Sequence, residues 1–285
     1  MKGFFHSFSL VAILVLGGTL AAYSQTPVVP AGSVINGASF DTTGQPLAAG
    51  SLISIFGTDL AGSLDQSRSI PLSTSLSDGV SVKINGLTAP LLFVSSGQIN
   101  AQLPWGVLPI SPPGTSGTAQ VVITRSGVAS APVSVPVTVA SPGIFTTQFG
   151  VGQAIAYGAS SYIYAAAPGT IPGLTTSPAK IGDSISILAT GLGPVDTTVK
   201  DGDVPPVLIS NTLTTPTVLV GSVPAQVTFS GLVGRDATGT AQGFVAVYQV
   251  NIIIPPGTPT GNAVPLQIRM NGITSTNKAT IAVSN

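Results

Sequence analysis

The stretch Pro46–Leu60 returns without a gap as Pro178–Leu192, 132 positions further on, so the chain must build two copies of one unit. Within it, Leu52-Ile53-Ser54-Ile55 answers to Ser184-Ile185-Ser186-Ile187. Val82–Phe93 then matches Val218–Phe229, each reading as strand, tight turn, strand. Gln98–Pro104 matches Gln249–Pro255, with polar Gln and Asn alternating with apolar neighbours as on a half-buried strand. Gly127–Ser130 matches Gly272–Ser275, and a fainter pair, Gly37–Ser39 and Gly158–Ser160, carries each unit back to its first strand. The units are placed at residues 32–141 and 142–285, behind a linker at 25–31. Each is large enough for a core of its own.

Both units read as short alternating strands separated by Gly, Pro and Asn turns, without helical periodicity. About seven such strands per unit is the pattern of an immunoglobulin-like sandwich. The expected fold is therefore all-β, two tandem Ig-like β-sandwiches. Cysteine is absent, so no disulfide bridges the sheets and burial alone must hold them.

The strand-turn-strand segment followed by Gln-x-Asn and a proline, then by Gly-Val-x-Ser, resembles the IPT/TIG class of Ig-like domains. More closely, Ala49–Leu60, Phe93–Pro104, Pro142–Phe145, Ala189–Pro194 and Tyr248–Asn251 resemble the uncharacterised Solibacter-type C-terminal domain family of secreted acidobacterial proteins. That resemblance covers nearly all of the chain beyond the N-terminal segment and implies Ig-like modules with no assigned activity and no catalytic residues to carry over. In that family the region commonly follows other extracellular modules; here it stands almost alone, so no scaffold role for an upstream domain is expected. One departure is visible: Ser230–Gly243, with Arg235 and Asp236, lies between Phe229 and Phe244 where the first unit has a short turn.

The inventory of reactive side chains is sparse. The chain's one histidine, His6, lies in the N-terminal segment expected to be removed, there is no Cys, and every acidic residue is Asp, which excludes His- and Cys-based hydrolytic sites from the mature chain and removes the commonest zinc ligands. No catalytic residue and no cofactor is expected. A formal net charge of zero leaves no electrostatic case for nucleic acid. Asp196, Asp201 and Asp203 form the densest acidic group. They are candidate Ca²⁺ ligands, although Asp-Gly is also ordinary turn language and no EF-hand spacing is present. Facing carboxylates there would be needed for a cryptic Asp-dependent glycoside hydrolase, the most distant reading.

Tyr157, Tyr162 and Tyr164 are the candidate ligand platform: with the last two on a strand they share a face on which sugar rings could stack, the alternative being packing between the units. Trp105 reads as a core or edge-covering ring, or as a binding anchor. Repetition of Gln98 and Asn100 as Gln249 and Asn251 points to a structural task. The expected function is that of a secreted, non-enzymatic structural, adhesive or protein-interaction module with an extracellular protein or polysaccharide as partner, and a carbohydrate-binding protein is the alternative.

The compartment is read from the N-terminus. Lys2 precedes an apolar run, Leu10–Leu20, that ends in Ala22-Tyr23-Ser24, and the run is too short and glycine-broken to span a bilayer. Residues 1–24 are therefore a cleaved signal peptide, with no membrane span expected in the mature chain. Intact-mass measurement of the exported protein should give a chain starting at Gln25, and a mass that retains Lys2 would overturn this reading.

Overall fold

A computed structural model describes residues 25–108, 115–276 and 278–285, so the signal-peptide assignment lies outside the described residues. Among these residues there are β-strands and two short 3-10 turns, Ser77–Gly79 and Trp105–Val107, and no helix long and apolar enough to cross a membrane. The architecture is two Ig-like β-sandwiches in tandem. Period-two alternation produces them. In the strand Val133–Thr138, Val133, Val135 and Val137 are buried while Ser134 and Pro136 face solvent.

In the first unit one sheet runs in the order Val34–Asn36, Leu52–Phe56, Gln98–Gln102, Leu91–Val94, Asp65–Gln66. The facing sheet runs Leu47–Ala48, Val133–Thr138, Ser116–Arg125, Ser81–Ile84, Leu87–Thr88. Their inner faces close over a core drawn from Val29 to Val137, and a second, separate core is drawn from Ala140 to Val283.

The repeat holds at the level of register. Ser54 lies opposite Asn100, and Ser186 lies opposite Asn251. Leu47–Ala48 pairs in parallel with the last strand of the first unit, as Ala179–Lys180 does with the last strand of the second. Even the irregularities recur, since the pairing slips by one residue between Leu91 and Phe93 and again between Val227 and Phe229. The hairpins turn alike: Asn85-Gly86 and Gly221-Ser222 hold positive φ at both central positions, as a two-residue turn between right-twisted strands demands. In each unit a buried serine hydroxyl ties the closing hairpin, Ser130 Oγ accepting from Ile123 N and Ser275 Oγ from Ile268 N, both at 3.1 Å.

The copies part at Pro90. Proline has no amide hydrogen to give a ladder, and in the first unit the chain leaves one sheet at Thr88 and enters the other at Leu91. Gln226 occupies the corresponding place, and the strand Val223–Val233 runs unbroken, pairing with Thr217–Val220 at one end and with Tyr248–Ile253 along the rest. The second sandwich is consequently one continuous thirteen-stranded sheet among the described residues, folded over on itself.

The two sandwiches are joined by a built contact. Leu52, Leu72, Val204, Val245 and Ala246 form a third apolar cluster with members from both units. Around it, Thr190 Oγ1 accepts from Leu52 N (3.0 Å) and donates to the Ala246 carbonyl (2.8 Å). Gln102 Oε1 accepts from Gly202 N (2.6 Å), Leu72 N donates to the Gly202 carbonyl (2.7 Å), and Ser141 N donates to the Gly191 carbonyl (2.8 Å). Gln102 and Thr190 are fully buried, so each of these bonds replaces one that water would otherwise make.

Because Ser130 and Ser275 do the same work in the same surroundings, Ser130→Ala and Ser275→Ala should each strand one buried amide and cost about 1–3 kcal/mol, by similar amounts. Urea denaturation of the two single variants checks this, and a large cost at one site with none at the other would contradict the structural equivalence of the units.

Candidate binding surface

The Gln-x-Asn pairs belong to the scaffold. Gln98 Nε2 donates to Asn100 Oδ1 at 2.8 Å, and Gln249 Nε2 donates to Asn251 Oδ1 at the same distance. The cross-strand serines complete both sets, Ser54 Oγ donating to Asn100 Oδ1 (3.0 Å) and Gln249 Nε2 also reaching Ser186 Oγ (3.3 Å). With their polar ends spent on one another, these four side chains hold the central strand pair of each sandwich.

The tyrosines do gather, but not in the way strand periodicity implies. Tyr157 sits on the strand Ala156–Gly158, whereas Tyr162 follows a turn and adopts φ 55°, and Tyr164 makes isolated bridges to Tyr157 and Thr176. The chain reverses through Ala159–Ser161, and both later rings come back onto Tyr157. Tyr162 stacks on it with centroids 5.7 Å apart and planes at 26°, and Tyr164 meets it edge-on at 5.8 Å and 61°. Tyr162 is 73% exposed, so its outer face looks into solvent. Partial burial raises the Tyr157 phenol above its ordinary value, and the two neighbouring phenols add to the rise.

Beside Tyr157 lies a groove of about 330 Å³, floored by Leu188, Val233 and Val247 and edged by Gln242, Phe244 and Gln249. These residues all come from the second unit, so the tyrosine cluster fronts a surface of that unit. Phe244 and Gln242 carry the groove yet escape sequence reading as a site. The available sign was their position at the end of Ser230–Gly243. Of that segment, Ser230–Val233 continues a strand, Gly231–Val233 pairing with Ile209–Asn211, and the remainder forms a turn. Asp236 organises that turn by accepting from Thr238, Thr240 and Gln242, and these hydrogen bonds, the Thr238 hydroxyl first, hold its carboxyl below the usual range.

Asp196, Asp201 and Asp203 are not brought together. Asp196 lies in an exposed loop, where Asn211 donates to it through both backbone and side chain and, with Thr197, keeps its carboxyl low. Asp203 pairs with Arg235 at 2.7 Å. Asp201 Oδ1 accepts from Trp105 N across the contact between the units (2.9 Å). Among the described residues no three His, Cys, Asp or Glu side chains converge to hold a metal ion. The sequence separations of five and two residues misled because Gly202 turns the chain with φ 78° and its flanking carboxylates diverge to separate partners.

Trp105 is an edge-covering ring placed at the junction. It lies on Gly50, where a Cβ would sit 2.4 Å from the indole, and packs against the core of the second unit. Glycine is required there both for that approach and for its φ of 77°.

Residues 38–149 match the IPT/TIG domain family. The matched IPT/TIG stretch covers the first sandwich after its strand Val34–Asn36 and runs on through Gly143–Ile144 and Thr146–Gln148, strands that pair within the second. No curated protein matches the sequence. Among solved structures, the full extracellular region of plexin A4 aligns at 11% identity over 93% of this chain and 19% of its own, with a TM-score of 0.27. The chain thus spans about a fifth of that protein's length. Domains 5–6 of the S-layer protein SbsC align at 15% identity over 91% of this chain and 99% of their own, with a TM-score of 0.24.

Desolvation beside Trp105 raises the Asp201 carboxyl from its ordinary 3.8, opposed by the Trp105 amide, and the rise is limited by the solvent exposure Asp201 retains. A carboxyl raised in the folded state keeps its proton longer there than in the unfolded chain. Its contribution to stability is therefore fullest at low pH and declines as pH climbs through the window that opens at 3.8. Asn at this position still accepts from Trp105 N but cannot titrate. The melting temperature of wild type relative to Asp201→Asn should accordingly fall as pH is raised from about 3.5 to about 6, and a rise over that interval would show the shift to have the opposite sign.

Proposed function

We propose that this chain is an exported, non-enzymatic interaction module that meets a partner at the cell exterior through the aromatic surface of its second sandwich. The observation that carries the reading is the solvent-facing ring of Tyr162, 73% exposed and stacked on Tyr157, which itself lines a preformed groove. A large apolar ring left in water while its neighbour is fixed beneath it is a rigid contact element with little entropy left to lose on binding. Export is supported by the N-terminal pattern of Lys2, Leu10–Leu20 and Ala22-Tyr23-Ser24. The finer kinship, with the Solibacter-type C-terminal domain family, rests on the motifs quoted for it, of which Tyr248-Gln249-Val250-Asn251 is a scaffold element with Tyr248 buried and bonded to the Gly193 carbonyl.

Absence of catalysis is proposed from the occupation of the aspartates. Asp196, Asp201, Asp203 and Asp236 each accept from named neighbours, and no pair of them stands free across a groove. A second reading, carbohydrate binding, is favoured by the same stack, because the flat outer face of Tyr162 suits a sugar ring's apolar face.

Tyr162 is exposed and Tyr162→Ala should leave melting temperature within about 1 °C of wild type. Retention of the protein on isolated cell-envelope material, followed by sedimentation, should drop at least about fivefold in that variant. Protease treatment of the envelope that abolishes retention marks a protein partner, and glycosidase treatment that does so marks a polysaccharide. Unaltered retention of Tyr162→Ala would refute the platform.

A further inference from the structure

A second groove, distinct from the one beside Tyr157, opens between the two sandwiches. It measures about 450 Å³, within the range of ligand sites, and takes one wall from Ser67–Leu72 of the first unit and the other from Arg235–Phe244 of the second. Both walls are held in place. On the first, Ser67 N donates to the Leu92 carbonyl and Leu72 N donates across the junction to the Gly202 carbonyl at 2.7 Å. On the second, Arg235 N bonds the Pro205 carbonyl, Gly234 N bonds the Leu208 carbonyl, and the Arg235 guanidinium is divided between Asp203 and the Gly239 carbonyl. A groove walled in this way exists before any ligand arrives, and binding need not order it.

Its chemistry is of three kinds. Ile70, Leu72, Ala241 and Phe244 supply apolar faces, with Phe244 39% exposed on the ridge that this groove shares with the one beside Tyr157. Ser67, Ser69 and Thr240 supply hydroxyls that both donate and accept. The charged residues are Arg68 and Arg235, one from each unit, out of nine Lys and Arg in the whole chain, and no acid lines the groove. Asp203 neutralises Arg235, and Asp236 nearby is spent within its own turn. Arg68 is left exposed with no acidic partner among the described residues.

We propose that this groove binds an acidic polysaccharide, a chain of uronate sugars, with the Arg68 guanidinium taking a carboxylate and Phe244 lying under a sugar face. An apolar ridge flanked by short hydroxyls matches the alternation of CH faces and hydroxyls on a pyranose. A planar guanidinium matches a carboxylate in bidentate fashion. One unpaired cation suits a polymer with one weak charge per residue better than a densely sulfated one, which would ask for a row of cations.

Isothermal titration with oligogalacturonate as the probe tests this on the full protein, beside a neutral cello-oligosaccharide, poly-glutamate and a sulfated oligosaccharide. Oligogalacturonate should bind, with the neutral chain at least about tenfold weaker. Arg68→Gln should lower affinity for oligogalacturonate about tenfold and largely erase its salt dependence, while Arg68→Lys, which keeps charge and loses the fork, should recover part of it. Phe244→Ala should weaken oligogalacturonate and the neutral chain alike. Arg68 is exposed, so an unchanged melting temperature establishes that any loss is one of binding. Equal affinity for the neutral chain, preference for poly-glutamate or the sulfated chain, no effect of Arg68→Gln, or no oligogalacturonate binding by the folded wild type would each overturn the proposal. Because Tyr162 takes no part in this groove, Tyr162→Ala should leave oligogalacturonate affinity unchanged, which separates this groove from the tyrosine platform.

Discussion

The bond between the Gln102 side chain and Gly202 fixes what surface this protein can present. Gln102 ends the strand Gln98–Gln102 at the heart of the first sandwich, and its buried amide bridges two backbones, accepting from Gly202 N and donating to the Gly50 carbonyl at 3.3 Å. Gly202 in turn accepts from Leu72 N, so one residue of the second unit is clamped between a core strand and a loop of the first. A buried amide left without these partners would cost about 1–3 kcal/mol for each stranded group, which makes sliding of the units past one another expensive. Trp105, Thr190 and Ser141 bound the same contact on other sides. The interdomain groove is a consequence: Leu72, pinned by Gly202, is part of its wall.

This junction also shows how a duplicated unit becomes a specific pair. The position of Gln102 corresponds in the second unit to Ile253, which is half-buried and belongs to an ordinary hairpin ladder with Gln226. The same strand thus ends in an amide where it must meet a neighbour and in an aliphatic side chain where it does not. Polar burial is costly unless every group is paired, and here the pairing is supplied by the partner unit, so the correct docking is favoured over any arrangement that leaves Gln102 dry and alone.

How much of this could be read from the sequence follows from what kind of interaction each feature depends on. The all-β fold, the duplication and the structural part of Gln98, Asn100, Gln249 and Asn251 were legible because they depend on period-two patterning and on repetition, both local and both visible in one chain. The register of Ser54 with Asn100 and of Ser186 with Asn251 follows from the same alternation. The partners of the aspartates were not legible, since proximity along the chain says nothing of direction: the positive φ of Gly202 sends Asp201 to Trp105 and Asp203 to Arg235. The tyrosines were found as a cluster but assigned the wrong geometry, because Tyr162 occupies a left-handed conformation that no strand periodicity anticipates for a tyrosine. Arg68 and Phe244, 176 positions apart, meet only through the docking of the units, and nothing local marks either of them.

A protein with so few charges makes the placement of each one informative. Where a surface carries dozens of lysines and arginines, two of them in a groove signify little. Here nine serve the entire chain, and Arg125 and Arg235, the two found paired with Asp, act as internal fasteners, Arg125 reaching Asp78 and the Asp59 carbonyl. The insertion Ser230–Gly243 brings Arg235 to the junction, and Asp203 then cancels its charge, so the segment contributes shape, apolar surface and hydroxyls to the groove while Arg68 alone contributes net charge. Most of the polarity of this chain comes from uncharged Ser, Thr, Asn and Gln and from the backbone. Against that background an unpaired guanidinium and a half-exposed phenyl ring on a rigid groove stand out as the groups with binding energy to give.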